Sequence, residues 1–218
     1  MQIFFIRKNY KSIFNNFIMI KAIIFDLGGV CFEIDWLKIN DEMVKKFNMT
    51  TLVKSAGNEK AITYYKEALE GKRHPIDMFR ELNNRDNDLN DIIKFYKEMY
   101  KKYKTHNKQI YELIKNLKNK FTIVCLSDTN VVHYQAHEEQ GTIKDFHHVF
   151  TSFKIGSIKR DKNTFKKVLN ELSIKPEETV FIDDNDKNVE IAKSLGINGI
   201  KYTNYEDLIK ELENLKVL

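Results

Sequence analysis

Cysteine is scarce in this chain, with two residues, Cys31 and Cys125, in 218. They lie far apart, each in or beside an apolar run, and have no metal-ligand spacing. Reduced thiols in a cytoplasmic protein are the expectation. Long apolar runs are lacking as well. No stretch of about 18 or more apolar residues occurs, so the sequence offers no membrane-spanning helix and predicts no membrane partner. Acidic residues are absent from residues 1–18, which carry Arg7, Lys8 and Lys11. That segment has neither the apolar region nor the small-residue cleavage site of a signal peptide. Its basic, aromatic character leaves organelle targeting open. The plainer reading is an N-terminal extension that catalysis does not need, with Met19 able to serve as a start. Nucleic-acid motifs are also missing. The formal charge of +5 comes mostly from Lys. Basic stretches such as Lys101-Lys102-Tyr103-Lys104 sit beside acidic ones, so the excess is assigned to solvated helix faces and no nucleic-acid partner is expected.

What is present is enough apolar sequence for a core. Hydrophobic residues make up 42% and charged residues 31% of the chain, with both signs interleaved, which excludes a disordered polyelectrolyte. The length suits one domain with a sizeable insertion or two small domains. β-rich apolar runs at 20–25, 121–126, 148–152, 178–182 and 198–202 alternate with helix-period segments. In 163–172 the apolar positions are Phe165, Val168, Leu169 and Leu172. In 188–195 they are Val189, Ala192 and Leu195, and Gly196 stands where a helix closes. This rhythm predicts an α/β fold, a Rossmann-like parallel sheet flanked by helices. The interval from 36 to 105 shows no strand. Its apolar residues (Ile62, Tyr65, Leu69; Met78, Phe79, Leu82; Ile92, Phe95, Tyr96, Met99, Tyr103) recur at helical spacing, and a turn is expected at Gly71–Pro75. The expected organisation is therefore an extension at 1–18, a core made of 19–35 and 106–218, and an inserted α-helical cap at 36–105. Most of the cap's aromatic side chains are expected to form its own core, and some could line a substrate pocket.

Four short motifs fall at strand ends or helix starts, where ligands bind in open α/β sheets. The first, Asp26-Leu27-Gly28-Gly29-Val30, follows the first apolar run. The second is Val124-Cys125-Leu126-Ser127-Asp128, a strand ending in a hydroxyl. The third is Gly156-Ser157-Ile158-Lys159, a Lys ahead of a helix. The fourth is Phe181-Ile182-Asp183-Asp184-Asn185. Together they offer a nucleophilic carboxylate, a hydroxyl donor, a cation and an acid pair. Phosphoryl transfer to a carboxylate needs those parts, and an all-oxygen site beside phosphate suits Mg²⁺.

With these motifs in this order, and a helical insertion after the first, residues 20–203 resemble the haloacid dehalogenase superfamily. The stretches Phe25-Asp-Leu-Gly-Gly-Val, Leu126-Ser-Asp-Thr-Asn130 and Phe181-Ile-Asp-Asp-Asn185 are most similar to its glucose-1-phosphatase-like branch. The resemblance implies a Mg²⁺-dependent phosphoric monoester hydrolase acting on a small phosphorylated metabolite, with sugar phosphates first. Asp26 would attack phosphorus and form an aspartyl-phosphate. Ser127 and nearby backbone N–H groups, with Asp128 and Gly29 beside them, would hold the phosphoryl group, and Lys159 would neutralise it. Asp183, Asp184, Asp26 and the Gly28 carbonyl would hold the metal. A monomer or homodimer is compatible with the sequence.

The chain departs from the family pattern at three places. Phosphatase members carry a second Asp, the general acid, two residues after the nucleophile, and here that residue is Gly28. Asp128 follows Ser127, where a negative side chain disfavours a phosphate dianion unless it points away. Arg160 follows Lys159 where Pro is usual, and solvation is the expectation for it. Without a general acid, anomeric or aryl esters should be preferred over alkyl phosphates, unless Glu33, Asp35 or His133 supplies the proton. Two rival functions remain: a catalytically weak binding protein of the same fold, and a haloacid dehalogenase. The dehalogenase branch also lacks the second Asp, but it needs no metal and does not usually carry the acid pair. His133 and His137 have the i, i+4 spacing of metal ligands, but Tyr134 stands where a zinc protease needs Glu. An incidental pair is the expectation. His147 and His148 are read as a surface turn.

Overall fold

The computed structural model describes residues 19–49, 57–83 and 85–218. The expected extension at 1–18 lies outside the described residues. Five strands form one parallel sheet: β1 (Ala22–Phe25), β4 (Thr122–Ser127), β5 (His148–Thr151), β6 (Thr179–Asp183) and β7 (Asn198–Lys201). Their order is β5-β4-β1-β6-β7, which puts β1 at the centre. Phe25 lies level with Cys125 on one side and Ile182 on the other. The central strands are apolar on both faces because helices cover both. Alternation sends Ile23, Phe25, Ile123, Cys125, Val180 and Ile182 to one face. There they meet α5 (Lys108–Leu117) through Ile110, Leu113, Ile114 and Leu117, and α10 (Tyr205–Asn214) through Leu208 and Leu212. Ile24, Val124, Leu126 and Phe181 face the opposite way, onto α8 (Lys162–Leu172) and α9 (Asp186–Lys193). Phe165 meets Phe181 edge-on at 5.0 Å between ring centroids. Gly196, at φ +88°, closes the α9 turn in the left-handed region, and Ile197 N–H then donates to the Ala192 carbonyl at 3.2 Å.

The segment after β1 is helical: α1 (Trp36–Phe47), α2 (Glu59–Leu69), α3 (Ile76–Leu82) and α4 (Leu89–Lys102). Ile39, Met43, Phe79, Leu82, Ile92, Tyr96 and Tyr100 form a separate core that includes Val132 and Ala136 of α6 (Val131–Glu139). One feature differs from the sequence reading. The interval expected to hold no strand ends in β3 (Lys104–His106), which pairs antiparallel with β2 (Phe32–Ile34). The two strands tie together the places where the chain leaves the sheet and returns to it. A three-residue strand is too short to show alternation, so its existence depends on its partner and not on its own pattern. The short helix α7 (Ser152–Ile155) follows β5 directly. Among the described residues no helix is long and apolar enough to cross a membrane.

Candidate active site

The C-terminal ends of β1 and β6 converge on one buried ammonium group. Lys159 Nζ lies 2.7 Å from Asp26 Oδ2 and 2.7 Å from Asp183 Oδ2. Asp26 follows β1, and its Oδ1 accepts the Leu27 N–H at 2.7 Å. The Asp26 carbonyl accepts from Cys31 Sγ at 3.2 Å, which gives that buried thiol a local partner. Asp183 is fully buried at the end of β6. Its Oδ1 accepts from the Asn185 N–H at 2.7 Å, and the Asn188 amide donates to both its oxygens, at 3.2 and 3.1 Å. Lys159 arrives on the loop before α8. Thr164 fixes that loop by bonding the Ile158 carbonyl (2.7 Å) and the Ser157 hydroxyl (2.8 Å).

Burial works against the Lys159 ammonium, yet Asp26, Asp183 and Asp128 together hold it above the usual lysine range. Burial pushes Asp26 up to about 7, with Lys159 opposing and Asp183 assisting the rise. Asp184 is raised by partial burial and by Asp183. Oxygens of Asp26, Asp183 and Asp184 lie within 4.8 Å of one another. Three carboxylates against one ammonium leave uncompensated negative charge, and the donors are all oxygen. The cluster therefore fits a hard divalent cation such as Mg²⁺.

Beside this cluster is a cavity of about 300 Å³. Gly28, Gly29, Ser127, Asp128 and Asp184 border it on the sheet side. Trp36, Tyr65, Tyr100 and His133 border it on the helical side. The structure thus brings together every motif residue singled out from the sequence: Asp26, Ser127, Lys159, Asp183 and Asp184 at the strand ends and the loop before α8, with Gly28 and Gly29 in the turn after β1. Asp128 does not simply point away from the site. Its Oδ1 accepts the Lys159 backbone N–H at 2.9 Å, and the residue lines the cavity. A wider depression of about 1060 Å³ lies at the opposite strand ends, near Met19, Lys118 and His147, and none of the motif residues line it.

Several side chains differ from expectation. Arg160 is exposed but not merely solvated. It donates to Asn188 Oδ1 (2.9 Å) and Asn185 Oδ1 (3.2 Å), which turns the Asn188 amide nitrogen towards Asp183. Asn188 was not recognised in the sequence. Its signal was weak: a polar residue on the buried face of α9, one turn after the acid pair. Asp35 is occupied as the N-cap of α1, accepting from the Lys38 N–H at 3.0 Å. His133 and His137 form no metal cluster with other described residues. Nε2 of His133 meets the Tyr96 hydroxyl at 2.8 Å, and Nε2 of His137 meets that of Tyr100 at 3.3 Å. Burial pushes His133 down to about 3, so at neutral pH the ring is uncharged and has no acidic proton to deliver. His147 and His148 are more than a surface turn: His148 opens β5, and just before it the His147 Nδ1 accepts the Ile123 N–H of β4 at 2.9 Å. Tyr65, one of the aromatic residues expected in the cap, and Tyr100 border the cavity as well as packing with the helical core.

Residues 20–196 match the family described as haloacid dehalogenase-like hydrolase, and the chain belongs to that family. Two curated relatives align along nearly their whole length. The chain is 25% identical over 202 residues to a sesquiterpene phosphatase of Aspergillus oryzae, covering 89% of this chain and 96% of that one. It is 24% identical over 209 residues to the D-ribitol-5-phosphate phosphatase of Bacteroides thetaiotaomicron, covering 89% and 97%. Other matches are partial: the chain spans 7% of mouse acyl-CoA dehydrogenase family member 10 and 42% of the enolase-phosphatase E1 of Aquifex aeolicus. The fold matches a HAD family enzyme of Bacteroides thetaiotaomicron solved with magnesium and inorganic phosphate. That match has a TM-score of 0.72 at 21% identity and covers 87% of this chain and 98% of the other.

Proposed function

We propose that this chain is a Mg²⁺-dependent phosphatase of small phosphorylated metabolites, with sugar phosphates the first class to test. The observation that carries the reading is the Asp26 carboxylate. It stands at the end of the central strand with Oδ2 2.7 Å from Lys159 Nζ, beside the Asp183–Asp184 pair. Asp26 attacks phosphorus and becomes an aspartyl-phosphate, which water then hydrolyses. Ser127, with Gly29 and Asp128 beside it, holds the phosphoryl group, and Lys159 balances its charge. Asp26, Asp183, Asp184 and the Gly28 carbonyl are the groups that would hold the cation. When bound, the cation supplies charge neutralisation to the phosphoryl oxygens. The α1–α4 layer acts as a cap that screens the cavity from water and large substrates. The two full-length phosphatase relatives support this reaction class. The glucose-1-phosphatase-like assignment within it rests on the three motif stretches. Action in the cytoplasm, as a monomer or homodimer, completes the proposal.

The test is Asp26→Asn assayed with Mg²⁺ against a panel of phosphorylated metabolites. The amide keeps the volume and removes the nucleophile, so turnover should vanish while the fold, followed by circular dichroism, persists. Near-native activity in the variant would refute the covalent route. Gly28 favours one second reading, a catalytically weak binding protein. Wild-type protein that binds a phosphorylated metabolite without turning it over would establish that reading instead.

A further inference from the structure

The Gly28 position leaves the proposed reaction without the family's proton donor, and the cavity holds a second carboxylate that can fill the role. We propose, building on the phosphatase reading, that Asp128 is the general acid and base of this enzyme.

A proton donor must first stand in the right place. Asp128 directly follows Ser127 at the end of β4 and borders the same cavity as Gly28. Its Oδ1 is anchored by the Lys159 N–H at 2.9 Å, and Oδ2 has no hydrogen-bond partner among the described residues. One fixed oxygen and one unengaged oxygen suit a group that must present a proton in a set direction. It must also carry the right charge. An ionised Asp128 would repel the phosphate dianion that Ser127 and Lys159 hold, whereas a neutral carboxylic acid does not repel it and can donate. The groups around it are Lys159 and Arg160 on the loop before α8, Asp183 on β6 and Tyr65 on α2. Burial raises the Asp128 carboxyl from its ordinary value, and Asp183 adds to the rise. Lys159, its backbone N–H included, and Arg160 oppose it. The alternatives are weaker. Asp35 is committed to its cap, and His133 is neutral and bonded to Tyr96; Glu33 also borders the cavity, but it is exposed on β2, where no burial holds its proton in place as it does for Asp128.

The steps balance. As Asp26 Oδ bonds to phosphorus, the bond from phosphorus to the leaving oxygen breaks. That oxygen takes the Asp128 proton, leaving Asp128 a carboxylate. In the second step Asp128 removes a proton from water as the water oxygen bonds to phosphorus. The bond from phosphorus to Asp26 breaks, and inorganic phosphate, ionised Asp26 and protonated Asp128 result. Ordinary alkyl phosphates are then substrates, contrary to what Gly28 alone suggests.

Leaving-group dependence tests this. In Asp128→Asn, kcat/KM for an alkyl ester such as glucose 6-phosphate should fall by roughly 10²–10⁴. For p-nitrophenyl phosphate, whose leaving group needs no proton, it should change only a few-fold. Wild-type turnover of the alkyl ester should decline as pH rises and Asp128 loses its proton, and the aryl ester should show no such decline. Adding Gly28→Asp to the Asp128→Asn variant should restore alkyl turnover, because a Cβ at Gly28 meets no heavy atom within 4 Å. Equal losses on both esters would make Asp128 only a support for the Lys159 loop, and no loss on either would remove it from the reaction. Selective loss in Glu33→Gln instead would move the donor to Glu33. Each of these outcomes overturns the proposal. Should Asp128→Asn fail to fold, the wild-type rate across alkyl and aryl esters decides. A shallow dependence on leaving-group pKa supports a proton donor, and a steep one overturns it. Wild-type protein inert to both esters with Mg²⁺ present overturns the phosphatase reading itself.

Discussion

Adjacent glycines in the first motif have different jobs. Gly29 sits at φ +74°, and a Cβ there would come within 2.5 Å of the Asp184 carboxylate carbon. Gly28 has neither constraint, since its φ is ordinary and its Cβ direction is open. Gly29→Ala is therefore expected to cost roughly 1–2 kcal/mol from the left-handed backbone and to push Asp184 off the carboxylate cluster. Mg²⁺ affinity should weaken by roughly 10–100-fold, the scale seen when support for a metal ligand is lost. Gly28→Ala should leave stability unchanged or slightly raised. Calorimetric titration of Mg²⁺ into both variants checks the contrast, and equal affinities would show that Asp184 is not held by Gly29. From sequence, the positions of Asp26, Ser127 and the acid pair at strand ends, and of Lys159 just ahead of a helix, were legible because the four motifs fall in order along alternating strands and helices. The division of labour between Gly28 and Gly29 was not legible. It depends on which of them faces Asp184, across more than a hundred residues of chain.

Helix α6 shows what a histidine pair at metal-ligand spacing does instead. Its buried positions are Val132, His133, Ala136 and His137, a helical stripe in which histidines stand where apolar residues are usual. The i, i+4 spacing that suggests metal ligands here marks the face packed on α4. There His133 stacks flat on Tyr100 at 4.0 Å, and His137 Nδ1 meets Lys104 Nζ at 3.0 Å. What the sequence cannot convey is that the partner face brings two tyrosine hydroxyls to those rings. Burial, helped by Lys104, pushes His133 down to about 3 and His137 to about 2, and burial lowers Lys104 itself to about 7. Unfolded histidines protonate near pH 6.5. The unfolded chain therefore binds more protons below that pH, and the stability held by the neutral rings is fully present above about 6.5 and lost as pH falls towards 3. Lys104 acts in the same direction between about 10.4 and 7. Asp26, pushed up to about 7, acts in the opposite direction between about 7 and 3.9, so the histidine contribution is read as the difference in urea midpoints at about pH 7.5, 6 and 5 between the wild type and a variant lacking both rings. The double variant His133→Gln/His137→Gln, less stable at neutral pH, should show a flatter decline from 6.5 downwards. An unchanged slope would mean that other groups carry the acid sensitivity.

Over the whole molecule, charge is distributed unevenly. The chain is basic at +5, yet Asp26, Asp128, Asp183 and Asp184 gather around one lysine at the strand ends. The alternating strands and helices were readable because each apolar run is long enough to show its period. The β5-β4-β1-β6-β7 order then brings residues 26, 127, 159 and 183 to one edge. The cavity's helical wall was less readable, because Trp36, Tyr65 and Tyr100 reach it only through the packing of helices whose stripes look like any bundle core. A site with this surplus of carboxylates should make stability depend on the cation. A ligand at about 100 times its Kd stabilises the folded state by about 2.7 kcal/mol. For a protein of this size that corresponds to roughly 5–10 °C in Tm. Thermal unfolding with Mg²⁺ should therefore exceed that with EDTA by this margin. Asp184→Ala, which removes an exposed carboxylate of the proposed cation site without opening the core, should lose most of the gain. Asp183→Ala should lose it entirely, and should start from a lower Tm because Lys159 and Asn188 are left facing a gap. A shift of native size in Asp183→Ala would place the cation elsewhere on the protein. Equal midpoints in Mg²⁺ and EDTA for the wild type would mean that Lys159 alone balances the cluster, and the Mg²⁺-dependent reading would fail with it.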